Sequence, residues 1–144
     1  MDNMKAEDFF LLILAELNGS AESETRIQKL AFLANKEKAI DLGLQFKWHH
    51  YGPFSSDFKN CIEQLSNKEL VRIRKEERCT FMGDLYSINI FDLTTSGQAR
   101  VNQLKKDLPQ EKKQLIHDLV VDYGHKALND ILDHIYKTYS PDDL

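Results

Sequence analysis

Cysteine is scarce in this chain. Cys61 and Cys79 are its two, they lie far apart with no CxxC pair, and neither a disulfide framework nor a zinc ribbon is built from them. Long apolar runs are also missing. The longest, "FFLLILAEL" at Phe9 to Leu17, is interrupted by Glu16 and falls well short of the ~20 residues a bilayer crossing needs, so it reads as a buried helix. Acidic Asp2, Glu7 and Asp8 precede it and no small-residue cleavage site follows, which argues against a signal peptide and for a cytoplasmic protein. The three prolines, Pro53, Pro109 and Pro141, stand at boundaries between patterned segments, and no repeat or low-complexity tract occurs. HExxH, GxSxG and a glycine-rich phosphate loop are absent, as is an isolated pair of acid–base carboxylates.

An excess of positive charge is lacking too, since the net charge is −4. It is unevenly spread: residues 1–46 carry −3, residues 47–110 carry +2 and residues 111–144 carry −3. A polyanion, if one binds, should meet the middle third. With 144 residues the chain suits a single domain with one core.

Helical spacing dominates what is there. Phe10, Ile13, Leu14 and Leu17 form the first stripe, which Asn18-Gly19 ends. Ser23 then caps a second helix carrying Ile27, Leu30, Ala31 and Ala34, with Phe32 and Leu33 widening its apolar face so that it should be covered on two sides, and Gly43 closes it. "LQFKWHH", Leu44 to His50, predicts a short strand. After the Gly-Pro pair, Ser55 or Ser56 caps a third helix with Phe58, Cys61, Ile62 and Leu65 inward, stopped by Ser66-Asn67. Leu70 to about Lys75 and Leu85 to Leu93 predict a hairpin with a long charged tip. Thr95 or Ser96 caps a fourth helix with Ala99, Val101 and Leu104 apolar and Lys105-Lys106 near its C-terminus. Two further stripes follow, Ile116, Leu119, Val120, Tyr123 and then Leu128, Ile131, Leu132, Ile135, separated by Gly124 and extended by Tyr139.

The expected class is α+β, mostly α. The order helix, helix, strand, helix, hairpin, helix is that of a winged helix-turn-helix with extra C-terminal helices, its core at about 5–107 and its extension at about 111–139. That order does not fix a function.

Four stretches, "RIQKLAFLANKE", "YGPFSSDF", "LSNKELV" and "DLTTSGQA", resemble the YwgA-like proteins and the related SocA-like antitoxin (Panacea) domains. Those typically read Leu-Gln-Lys-Leu, a Tyr-Gly-Pro-aromatic-Ser corner, a helix and hairpin, then Leu-Thr-x-x-Gly. "ILDHIYKTYSP" is similar to their ending, although Ser140 separates Tyr139 from Pro141; the resemblance covers roughly residues 24 to 141. It implies a winged-helix-type module of toxin–antitoxin, phage-linked or regulatory settings, and no reaction.

Candidate chemistry is thin. His49 and His50 are neighbours on a strand and point to opposite faces, so they do not chelate one ion; one is expected to pack inward and the other to be solvated. His117, His125 and His134 lack the i, i+4 spacing of a helical chelate. Cys79 has Arg78 beside it but no oriented base, and Cys61 reads as core filler. No catalytic residue, metal or cofactor is expected. The basic signal is Arg72, Arg74, Lys75 and Arg78 on the hairpin with Lys59, Asn60 and Gln64 facing out from the third helix, the positions at which a winged helix meets phosphates and base edges. Asp57, Glu63, Glu76 and Glu77 dilute it. The basic wing favours a DNA-binding transcriptional regulator; the alternative is an antitoxin-like or adaptor module that docks on a partner protein such as a toxin, with a homodimer formed by the C-terminal helices. Tyr51, Gly52, Pro53, Phe54 and Ser55 are read as a corner that aims the third helix, with Tyr51 and Phe54 anchored in the core.

Overall fold

A computed structural model describes residues 2–144. The chain is α+β and mostly helical. Helix α1 (Ala6–Glu16) is almost wholly buried, because seven of its residues from Ala6 to Leu14 face neighbouring elements. Asn18 and Gly19 both take positive φ and reverse the chain. A short strand follows where only the end of a helix was expected: β1 (Asp2–Asn3) precedes α1, and β2 (Ser20–Glu22) succeeds it. Ser23 caps α2 (Glu24–Lys38) as predicted, its hydroxyl accepting from Arg26 N–H. Every residue from Ile27 to Ala34 is buried, so α2 is the central helix, covered all round. It ends at left-handed Ala39 and not at Gly43, and runs straight into β3 (Ile40–Asp41), which pairs parallel with β1.

The expected Leu44–His50 strand is shorter, β4 (Lys47–His49), and pairs antiparallel with β5 (Gly52–Phe54). Helix α3 (Ser56–Asn67) follows, with Phe58, Ile62 and Leu65 inward and Cys61 half-buried against the core. Strands β6 (Val71–Cys79) and β7 (Leu85–Leu93) form the hairpin. Its first strand runs four residues past the expected Lys75 end, so the charged stretch is ladder and the tip is a compact turn at residues 80–84. β2 adds to the other side of β7, giving the sheet order β2-β7-β6. Helix α4 (Thr95–Asp107) is capped by Thr94, one residue ahead of the expected Thr95, and Ala99 faces solvent. α5 (Gln110–Leu119), a single wide turn at Val120–Gly124 and α6 (Leu128–Thr138) complete the chain, with a last turn at Pro141–Asp143.

Three aromatic rings tie the halves together. Phe10 of α1 meets Phe58 of α3 edge-on at 5.9 Å and Phe91 of β7 edge-on at 5.6 Å. Such edge-to-face pairs add about 0.5–1.5 kcal/mol each beyond area burial. The sheet and the third helix are therefore joined through one phenylalanine.

Candidate functional site

The corner is built from below. Two polar residues of α2, Gln28 and Lys29, lie at 0% and 1% exposure in the middle of its apolar run. Gln28 Nε2 donates to the Ser55 carbonyl at 3.0 Å, and its Oε1 accepts from the Ser55 N–H at 2.9 Å. Lys29 Nζ donates to the Pro53 carbonyl at 2.7 Å. Ser55 Oγ in turn accepts from the Phe58 N–H at 3.2 Å and starts α3. Gly52 has φ +82°, and a Cβ there would meet only ordinary contacts, so backbone conformation and not space favours glycine. From the side, Tyr136 of α6 donates to the His50 carbonyl at 3.0 Å.

Two expectations about this corner fail. Tyr51 is 64% exposed and anchors nothing in the core, because it occupies the turn between β4 and β5; Phe54 is half-buried, its ring centroid 5.2 Å from that of His49. His49 and His50 are both exposed, since Trp48 takes the core-facing side of β4 and His50 lies in the turn beyond the strand's end. No group of three or more metal-ligating side chains occurs among the described residues.

Burial pulls the Lys29 ammonium down to about 8 from an ordinary value near 10.5. Its folded pKa lies below the unfolded one. Between those values the unfolded chain holds the proton that the folded chain has released, so stability from this group rises with pH across about 8 to 10.5. The gap in urea midpoint between the wild type and Lys29→Met should accordingly widen in favour of the wild type over that window. A constant gap would show that Lys29 keeps its charge equally well in both states.

The hairpin arginines are engaged. β6 residues alternate, and Arg72, Arg74, Glu76 and Arg78 share one face. Arg74 Nε donates to Asp92 at 2.7 Å, and Arg74 also reaches Glu76 at 3.4 Å. Arg78 bonds Glu76 at 2.9 Å and Glu22 of β2 at 2.7 Å. These contacts hold the Asp92 and Glu22 carboxyls below their usual range, the hydrogen bonds from Arg74 and Arg78 being the main causes. The ladder thus sets two arginines, Arg74 and Arg78, against three carboxylates. Arg72 and Lys75 on the hairpin, and Lys59, Asn60 and Gln64 on α3, are exposed and make no side-chain hydrogen bond among the described residues. Cys79 is exposed near the tip. At the tip itself Phe81, Met82 and Leu85 stand 104%, 84% and 73% exposed. Beneath the hairpin opens a cleft of about 560 Å³ whose wall includes Tyr51, Lys75, Tyr86, Leu128 and Leu132.

One side-chain cluster escapes the sequence entirely. Glu37, near the end of α2, accepts from Tyr123 and from Tyr139 (2.9 Å), and its Oε2 lies 2.6 Å from His134 Nε2. Partial burial pushes the Glu37 carboxyl up, but the hydrogen bonds from His134, Tyr123 and Tyr139 outweigh it and leave the group below its ordinary value. Burial and the bond to Glu37 push Tyr139 up to about 12 and Tyr123 higher still. The Thr138 hydroxyl lies 3.4 Å from His134 Nδ1 on the far side of the ring, and the cluster clasps the C-terminal elements onto α2, beside the Lys38–Asp122 pair at 2.8 Å. The last apolar stripe, in the helices where a homodimer was the alternative, is largely core: Ile131 and Ile135 are fully buried while Leu128 and Leu132 are half-buried.

No protein-family model, no curated protein and no solved structure matches this chain. No helix among the described residues is long and apolar enough to cross a membrane.

Proposed function

We propose that this chain is a non-catalytic protein-docking module on a winged-helix-type scaffold, of the YwgA-like and SocA-like kind. The scaffold reading is supported by the order α1, β2, α2, α3, β6, β7 and by the sheet order β2-β7-β6, which brings a strand after the first helix against the second strand of the wing. The family reading is supported by how its marks meet: Gln28 and Lys29 grip Pro53 and Ser55, and the Thr94 to Gly97 turn closes on Leu70. The observation that carries docking over nucleic acid is the neutralised ladder. Arg74 and Arg78 already hold Asp92, Glu76 and Glu22, so a phosphate would have to displace carboxylates at 2.7–2.9 Å, while the hairpin tip offers water an apolar surface. A DNA-binding regulator is the second reading, and the exposed Lys59, Asn60, Gln64, Arg72 and Lys75 favour it.

Fluorescence anisotropy with a labelled duplex, at about 50 and about 200 mM salt, separates the two. Docking predicts no salt-dependent affinity, together with stoichiometric co-elution with the product of an adjacent gene. Tight binding at the lower salt that collapses at the higher, and that Lys59→Glu with Arg72→Glu abolishes, would replace the docking reading by the regulator.

A further inference from the structure

We propose that two copies of this chain pair antiparallel through the open edge of β7, about a two-fold axis at Tyr86. Residues Ile90–Asp92 of β7 are covered by β2, and the Asn89 carbonyl accepts from the Ser23 N–H at 2.9 Å; beyond that point β7 runs on to Leu85 with β6 on one side only. Main-chain groups alternate sides along a strand. Asn89 C=O and Leu93 N–H both face β2, so the odd-numbered residues point that way, and Leu85 and Ser87 present their N–H and C=O groups to the uncovered side. Both residues are exposed, and neither has a main-chain partner there among the described residues.

Natural sheets blunt a free edge with charge, proline or a bulge. The hairpin's other edge obeys this, because β6 carries Arg72, Arg74, Lys75, Glu76, Glu77 and Arg78. The segment Leu85 to Ile90, "LYSINI", holds no charge and no proline. An unguarded edge beside a guarded one marks a strand that is covered in use.

The occupant follows from what the same chain offers. Setting Leu85 opposite Ser87 of the second copy engages only uncovered positions and leaves Asn89 with Ser23; each Leu85–Ser87 pair exchanges two main-chain hydrogen bonds. The turn at residues 80–84 then lies over the second copy's first residues of α2, where the cleft bounded by Tyr51, Leu128 and Leu132 opens. Phe81 and Met82 are the exposed apolar side chains at that turn, and the cleft supplies apolar wall to receive them. Knob, cleft and edge belong to one surface, so the contact is isologous and closes at two copies. It requires no partner protein, and because it covers the Phe81 and Met82 tip on which the docking reading draws, the dimer and a docked complex compete for that tip.

Sedimentation velocity of the full chain from about 1 to about 100 µM tests it. The wild type should pass from the 16.7 kDa protomer to a dimer, and Ser87→Pro should remain a monomer throughout. Proline at 87 deletes an outward N–H and leaves the β6·β7 ladder its bonds, so circular dichroism should be unchanged. Leu85→Lys, which sets two like charges beside the axis, should give the same result should the proline variant not fold. A wild type that stays monomeric over the whole range overturns the proposal, and so does a dimer that survives both substitutions.

Discussion

Replacing Gln28 with alanine should lower unfolding free energy by roughly 1–3 kcal/mol, read from the urea midpoint. The figure comes from the group left behind: the buried Ser55 N–H has Gln28 as its partner, and an orphaned buried donor costs about 1–3 kcal/mol, whereas the Ser55 C=O keeps the Lys59 N–H at 3.3 Å. Ser55→Ala is the informative comparison. It removes only the hydroxyl that caps α3 and should cost about 1 kcal/mol, as N-cap deletions usually do. If Gln28→Ala costs no more than Ser55→Ala, water replaces the amide and the clamp is dispensable. A total stability of ~5–15 kcal/mol makes the larger value a substantial fraction of the fold.

The same clamp shows where sequence reasoning reaches its range. Helices α1, α2 and α3 were legible because each carries a local apolar period, and the Ser23 and Ser55 caps because capping is decided within three residues. Gln28 and Lys29 belong to the "RIQKLAFLANKE" stretch, yet nothing local shows their role, since their partners lie 27 and 24 residues away. A signal did exist: two polar residues inside a helix that had to be covered on two sides must themselves be covered. β2 was missed for a different reason. Three residues are too few to show a period of two, and that strand exists through its pairing with Phe91 and its neighbours. The hairpin arginines were counted as available cations because Asp92 and Glu22 reach them only across the sheet, 18 and 56 residues away. The Glu37 clasp joins residues up to 102 apart, and nothing local announces it.

Gly97→Ala should destabilise the protein by about 3 kcal/mol or more, although helix propensity alone predicts a gain of nearly 1 kcal/mol for that change. Gly97 lies in the first turn of α4 with ordinary helical φ, so the argument is one of space. A Cβ built there would fall 2.1 Å from the Leu70 carbonyl oxygen and 2.7 Å from Leu93 Cδ1. The leucine methyl could turn away; the carbonyl is less free. Leu70 O accepts from the Thr94 N–H at 3.2 Å and lies 3.0 Å from Thr94 Oγ1, and that hydroxyl accepts from the Gly97 N–H at 2.9 Å. Moving the carbonyl therefore disturbs the cap of α4, while the Leu70 N–H bond to Leu65 O transmits the shift to the end of α3. Three elements meet at one backbone contact that only glycine permits. Gln98→Ala, one residue on and exposed, is the control and should change stability by no more than a few tenths of a kcal/mol. Should both variants be equally stable, α4 slides freely on the hairpin base. The wing's angle to α3 would then be set by the Phe10, Phe58 and Phe91 contacts alone.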